Sequence, residues 1–325
     1  MARVLVAAVV AMIIAILAGP TFIAFQRKNE FGQHIREEGP QTHFAKQGTP
    51  TMGGILILLA ASIAFLPLSD YTLPALTVFG TAVACGAVGF LDDFIKLRHK
   101  RSLGLRGRWK MLLLVGITAA VGLAAHHQHL SHHVYVPVAD FSIPLGPAWY
   151  GLLFLIIAGA VNGVNLTDGV DGLAAGVCAI AATSFSIIAF DLGKGPAGVL
   201  AAIIAGAALG FLVHNFHPAS VFMGDTGAMA LGGAIAAMAI MMKVELLLLF
   251  VGGIFAIVAL SVMLQVLSFK YLGRRIFLMA PLQHHFELKA WSETKIMVRF
   301  WIVTAIFCAA GFALFYKYYP QIKPH

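Results

Sequence analysis

Apolar residues in this chain arrive in runs about 20 long, separated by short polar connections, and that spacing leaves few folds open. Wound as a helix, such a run crosses about 30 Å of hydrocarbon. Hydrocarbon in turn admits only elements that satisfy their own backbone hydrogen bonds. The runs fall at about residues 3–25, 51–69, 73–91, 109–126, 148–163, 173–191, 196–213, 227–243, 245–268 and 297–317. The chain is therefore read as all-α: a polytopic integral membrane protein with about ten transmembrane helices. Only 11% of its 325 residues are charged, against about 25% in an ordinary soluble domain. The longest polar stretches, 26–50 and 268–296, are too short to form a separate soluble core, so residues 1–325 read as a single domain. The first run ends in Gln26-Arg27-Lys28 rather than at a small-residue cleavage site, which marks a retained span. Cys85, Cys178 and Cys308 all lie inside apolar runs and read as small hydrophobes.

Charge orients the spans. Connections 26–50, 92–108, 164–172, 214–226 and 269–296, with their flanks, carry 17 of the 22 Lys and Arg. The opposite set (70–72, 127–147, 192–195, 244 and the termini) carries only Arg3, Lys194, Lys243, Lys317 and Lys323. The positive-inside rule puts the first set in the cytoplasm and both termini outside. This asymmetry accounts for the net charge of +8 without a nucleic-acid partner. A histidine patch at His126, His127, His129, His132 and His133 falls on the outer face and reads as a surface loop.

The acids that matter then share one face. Ionisable groups at a bilayer are costly and are functional candidates by default. Asp92-Asp93-Phe94-Ile95-Lys96 closes the third span; neighbouring residues on a helix project about 100° apart, so the two carboxylates face different partners. Lys96 lies one turn on, over the same face, where it could hold a phosphate. In Asn162-Gly163-Val164-Asn165-Leu166-Thr167-Asp168-Gly169-Val170-Asp171-Gly172, amides and acids recur every third residue. The glycines make regular helix unfavourable beyond Asn165. These polar groups could read a base or a sugar, or form an Asp-Gly turn. Asp225, in Phe222-Met223-Gly224-Asp225-Thr226-Gly227, is a candidate metal ligand and equally a candidate helix cap. Gln283-His284-His285 lacks the spacing of a zinc site and suits phosphate or sugar contact. Hard carboxylate oxygens together with many cations suit Mg²⁺ and phosphoryl transfer, and the membrane scaffold suggests a lipid substrate.

With Gly48-Thr49-Pro50-Thr51-Met52-Gly53-Gly54 and Pro281-Leu282-Gln283-His284-His285-Phe286-Glu287 added, these segments closely resemble the phospho-N-acetylmuramoyl-pentapeptide transferases. That family belongs to the polyprenyl-phosphate sugar-1-phosphate transferase superfamily. The resemblance spans nearly the whole chain, with the motifs in the family's order. It implies transfer from UDP-N-acetylmuramoyl-pentapeptide to undecaprenyl phosphate, giving lipid I and UMP, with Mg²⁺ as cofactor. This is the first membrane step of peptidoglycan synthesis. It also implies a bacterial inner-membrane homodimer among membrane lipids, with ten helices and a cytoplasmic active site. In the implied roles Asp225 is the Mg²⁺ ligand, Asp92 the base for the lipid phosphate, and Asp93 its neighbour at the metal or phosphates. Asp168, Asp171, Asn165, Asn215, Lys46, Thr51, Phe222 and Gln265 line the nucleoside and pyrophosphate site, with Phe222 stacking the uracil. His284 and His285 match the family's histidine box, His284 with a catalytic role; Asn162, Lys96 and Gln283 complete the expected binding set. The box usually begins with a third histidine; here that position is Gln283, which carries no proton at neutral pH. A sister enzyme that transfers N-acetylglucosamine-1-phosphate is the nearest alternative, and an ion-coupled transporter a more distant one. A break in the ninth span near Gly252-Gly253, opening a lipid groove, is also expected.

Overall fold

The computed structural model describes residues 2–29, 46, 48–99, 103–137, 139 and 141–319. Arg36, Lys100, Arg101 and Lys323, used above for orientation, lie outside the described residues, as does most of the 26–50 connection. Among the described residues, nine helices are long and apolar enough to cross a membrane: α1 (Ala2–Lys28), α3 (Leu73–Arg98), α4 (Gly107–His127), α5 (Ala148–Thr167), α6 (Leu173–Asp191), α7 (Gly195–Asn215), α8 (Gly224–Met242), α10 (Gly253–Leu272) and α12 (Glu293–Tyr318). A tenth apolar helix, α2 (Gly54–Leu68), has 15 residues. It reaches about 22 Å, less than the expected second span.

That span is short because its first residues pair sideways. The Phe222 N–H donates to Pro50 O at 2.8 Å, Gly53 N–H to Phe222 O at 2.8 Å, and Gly54 N–H to Met223 O at 2.9 Å. α3 runs two turns past the expected boundary and carries Asp92, Asp93 and Lys96 on its last turns. α5 continues to Thr167, beyond the expected stop at Asn165, with the Thr167 hydroxyl donating to Gly163 O at 2.7 Å. The ninth run is broken as expected: a 3₁₀ turn (Glu245–Leu247) and α9 (Leu248–Val251) stop at Gly252, and α10 starts at Gly253. The break packs against α12, where a Cβ on Gly253 would sit 2.8 Å from Phe307 Cδ1. The groove lies further along α10. It holds about 620 Å³ and is lined by Val262, Val266, Phe269, Leu278 and Met279 with Lys270 and Arg275. The histidine-bearing 127–147 connection holds a small antiparallel hairpin, β1 (His133–Val136) against β2 (Phe141–Pro144), with Val134 opposite Ile143.

α8 is the axis of the bundle; every residue from Thr226 to Met242 is buried. Lipid tails are as apolar as leucine, so helices in a bilayer associate through close packing of small residues. α3 meets α8 in this way. A Cβ on Gly89 would stand 2.2 Å from Asp225 O, and one on Gly233 2.7 Å from Cys85 Sγ. α7 meets α1 likewise, with the Gly206 Cβ position 2.0 Å from Ala8 O. Large apolar side chains such as Leu17, Leu112, Leu123, Val266 and Ile306 face outward from the surrounding helices, the pattern of a lipid-facing surface.

The ends of the bundle differ. At one end Arg3 pairs with Asp70 at 2.7 Å, and Lys243 holds both Glu245 and the hairpin, donating to His133 O at 3.0 Å. At the other end the ends of α3, α5, α7 and α10 meet the starts of α2, α4, α6, α8 and α12, so the described parts of all five motif-bearing connections gather there. The α3–α8 contact predicts a contrast between two glycines. Gly89→Ala should lower stability by about 1–3 kcal/mol through overpacking. Gly80→Ala, whose Cβ meets nothing within 4 Å, should melt at or slightly above the wild-type temperature. Thermal unfolding of both variants in detergent reads the difference.

Candidate active site

Asp92 and Asp93 are adjacent on α3 and face different partners, as helical geometry requires. Asp93 turns toward α8. Its Oδ1 accepts the Asp225 N–H at 3.2 Å; its Oδ2 accepts the Thr226 N–H at 2.9 Å and the Thr226 hydroxyl at 2.7 Å. A helix N-terminus has unpaired N–H groups, and here a carboxylate from another helix satisfies them. Asp225 sits in that first turn without capping it, so the cap expected of Asp225 is supplied by Asp93. Asp92 turns toward the 103–110 segment. Its Oδ1 accepts the Leu105 N–H at 2.6 Å and lies 3.0 Å from Lys110 Nζ. Its Oδ2 is ion-paired with Lys96 Nζ at 2.6 Å but has no well-angled hydrogen bond. Both lysines also reach Asp225, Lys96 at 3.1 Å and Lys110 at 2.6 Å.

Asp225 is the most open of the three acids, its side chain 15% exposed against 1% for Asp92 and 4% for Asp93. Each of the three offers an oxygen within 4.8 Å of the others. The donors are hard oxygens, one carboxylate has an atom without a hydrogen bond, and three acids face only two ammonium groups. That set fits a divalent cation bound through one or two carboxylates with phosphates completing its shell.

A second group lies at the starts of α6 and α12. Asp171 Oδ1 accepts from Lys46 Nζ at 2.7 Å; its Oδ2 accepts from His217 Nδ1 at 3.0 Å and the Ala219 N–H at 3.1 Å. Glu293 Oε2 also accepts from Lys46 Nζ, at 2.5 Å. Asp168 lies within electrostatic reach of both groups. Burial, and then the charges of Asp225, Asp93 and Asp171, push its carboxyl up to about 8.

Other expected residues take part through their backbone bonds. Asn215 is buried; its Oδ1 accepts the Gly172 N–H at 3.1 Å and its Nδ2 donates to Val221 O at 2.9 Å, tying two loops together. Gln265 holds the 276–277 backbone through three hydrogen bonds. Gln283 is fully buried and donates to Leu166 O at 2.7 Å, which docks α11 (Leu282–Glu287) on the end of α5. His284 Nδ1 pairs with Glu287, and His285 Nδ1 accepts the Leu278 N–H at 3.1 Å. Thr51 is buried beside Gly224, Phe222 and Asn165 are half-buried, and Asn162 is exposed with its amide donating to Ala158 O at 2.7 Å.

Lys110, Thr226, His217 and Glu293 were not singled out from the sequence. Lys110 was absorbed into the charge count, and Glu293 is a lone acid opening the last helix. Neither carries a local signal of the pairing: Asp225 is 115 residues from Lys110, and Lys46 is 247 residues from Glu293.

Comparison with known proteins places this arrangement. The chain matches glycosyl transferase family 4 over residues 75–243, the stretch that holds α3 through α8 and the three clustered acids. It is a phospho-sugar transferase by that measure. Residues 46–58 match the phospho-N-acetylmuramoyl-pentapeptide-transferase signature 1. Curated relatives bearing that name include those of Geobacillus kaustophilus (48% identical over 320 residues; 95% of this chain, 96% of the relative) and Halalkalibacterium halodurans (46% over 303; 92% and 93%). Another, from Anoxybacillus flavithermus, is 46% identical over 305 residues (93% and 94%). The chain belongs to the phospho-N-acetylmuramoyl-pentapeptide-transferase family.

The raised Asp168 carboxyl has a signed consequence for the metal-free protein. An ordinary aspartate titrates near 4 when unfolded, so between about pH 4 and 8 the folded chain binds the extra proton and stability falls as pH rises. Asp168→Asn removes that slope. Its melting temperature relative to wild type should climb from pH 4 to 8 and level off above; a gap independent of pH would contradict the assignment.

Proposed function

We propose that the chain transfers phospho-N-acetylmuramoyl-pentapeptide from its UDP conjugate to undecaprenyl phosphate, giving lipid I and UMP. In this reading it is a multi-pass homodimer of the bacterial inner membrane, one catalytic domain per chain, with both termini outside and its site toward the cytoplasm. The observation that carries the reading is the meeting of Asp92, Asp93 and Asp225 with Lys96 and Lys110 at the end of a bundle bearing the family's signature.

Asp225 would hold Mg²⁺, with Asp92 or Asp93 beside it. When bound, the ion would neutralise pyrophosphate charge. Phosphoryl transfer asks little covalent work of a protein and much charge neutralisation and positioning. Lys96 and Lys110 turn from the carboxylates to phosphate oxygens as substrates arrive. That frees Asp92 to accept the proton of the lipid phosphate. A lipid phosphate oxygen then attacks the sugar-proximal phosphorus, and the bond to the UMP oxygen breaks. Asp93, with both oxygens spent on the start of α8, keeps Asp225 in place. Lys46, Asp168, Asp171 and Phe222 bind the nucleotide end, while Asn215, Gln265 and Gln283 shape the walls around it. The groove along α10, apolar with Lys270 and Arg275 at its rim, suits a lipid phosphate.

The N-acetylglucosamine-1-phosphate alternative is disfavoured by the Gln283-His284-His285-Phe286-Glu287 segment and by the relatives' names. A transporter wants acids at mid-span, whereas Asp92, Asp93 and Asp225 lie within two turns of helix ends. Purified protein should release UMP from UDP-N-acetylmuramoyl-pentapeptide in the presence of undecaprenyl phosphate and Mg²⁺, and stop on chelation. Asp225→Asn should cut turnover by about a thousandfold. Preference for UDP-N-acetylglucosamine as donor would refute the proposed substrate.

A further inference from the structure

The knot formed by Lys46, Asp171, His217 and Glu293 invites a bland explanation for each member. A glutamate in the first turn of a helix is favoured by the helix end alone. Here, however, Ser292 already caps α12, accepting the Lys295 N–H at 3.3 Å, and the Glu293 carboxylate turns to Lys46 Nζ at 2.5 Å. The three acid and imidazole side chains could also be read as a metal site. The Lys46 ammonium, however, already sits between the Asp171 and Glu293 carboxylates. Among the described residues, neither acid has a buried oxygen lacking a partner there.

The pairing pattern suggests a different role. An ammonium has three N–H bonds. Two of those on Lys46 go to Asp171 Oδ1 and Glu293 Oε2, which leaves one to give. His217 donates Nδ1–H to Asp171 Oδ2 and stands 3.6 Å from Glu293 Oε2. Asp171, 3% exposed, is thus gripped on both oxygens, and Lys46 is held to one direction. A lysine already ordered does not have to be ordered by its ligand.

We propose that Glu293 and His217 are positioning residues for the nucleotide-sugar: the ion pair from the last helix and the imidazole from the α7–α8 connection hold Lys46 and Asp171 in the arrangement that receives the UDP moiety. This rests on the function proposed above and extends it to α12, which contributes no expected binding residue. The effect is on ground-state binding, so it belongs in KM for the nucleotide substrate rather than in kcat.

The test is steady-state kinetics of the full-length protein in detergent, with melting temperatures measured alongside. Glu293→Ala and His217→Ala should raise KM for UDP-N-acetylmuramoyl-pentapeptide about tenfold with kcat within about twofold, leaving KM for undecaprenyl phosphate and the melting temperature unchanged. His217→Asn, which keeps an N–H near Nδ1, and Glu293→Gln, which keeps an acceptor, should recover most of the loss. Should Glu293→Ala fail to fold, Glu293→Gln decides, with about a threefold rise in KM at normal melting expected. Unchanged KM, a fall in kcat alone, or destabilisation that the conservative variants do not relieve would overturn the positioning role. If wild type turns over and the alanine variants match it, only this inference fails; if wild type releases no UMP, the proposed function fails and takes this inference with it.

Discussion

The site depends on one helix crossing. Gly89 lets the backbone of α3 come so close to Asp225 O that a single added carbon would clash. One turn further on, Asp93 receives the N–H groups that open α8. The two contacts reinforce each other. Close approach puts the carboxylate within reach of the helix start, and the cap resists separation because unpaired N–H groups buried in a bilayer protein are costly. Asp225 gains its place as a by-product: it sits in the capped turn, its own N–H held by Asp93, and emerges beside Asp92. Lys96 and Lys110 then bridge the pair from two different helices. With three acids against two amines, the cluster keeps a net negative charge, the condition under which a further cation is welcome.

Around this crossing the polar residues divide by what their atoms are already doing. The amides of Asn215, Gln265 and Gln283, expected at the substrate, are engaged with backbone: Asn215 ties the 172 and 221 loops together, Gln265 holds the 276–277 segment, and the Gln283 N–H goes to Leu166 O. An amide presents donor and acceptor together, which lets Asn215 join a carbonyl of one loop to an N–H of another. Charged groups behave differently. Lys96 and Lys110 keep partial exposure and pair with Asp225, and Lys46, also partly exposed, pairs with Asp171 and Glu293.

Run length and charge asymmetry were enough to reach the spans and to send five connections to one end, because both are set by the bilayer itself. Motif spacing brought out Asp92, Asp93, Asp168, Asp171 and Asp225. What stayed hidden is tertiary. The shortening of α2 follows from pairing of residues 50–54 with 222–223, far away in sequence. The extension of α3 through Asp93 is stabilised at its end by α8 and by Lys96 one turn away. Glu293 looks like any acid opening a helix until Lys46 is placed beside it. The hairpin after α4 is held by the Lys243 bond to His133 O, a contact that no local pattern announces.

Gln283 departs from the family's pattern, and its surroundings show what the amide is bonded to there. An ionisable group at that position would matter if it faced substrate, but the side chain here is fully buried and its N–H goes to Leu166 O. The contact joins α11 to the turn that carries Asp168, so the amide N–H works in docking, while its buried Oε1 has no hydrogen-bond partner among the described residues. His284 is oriented through Nδ1 by Glu287, which directs Nε2 toward the 168–171 turn. Room for it exists only because residue 169 is glycine; a Cβ there would lie 2.9 Å from Nε2. The glycine after Asp168 and the histidine after Gln283 are therefore one constraint, written on two segments more than 100 residues apart.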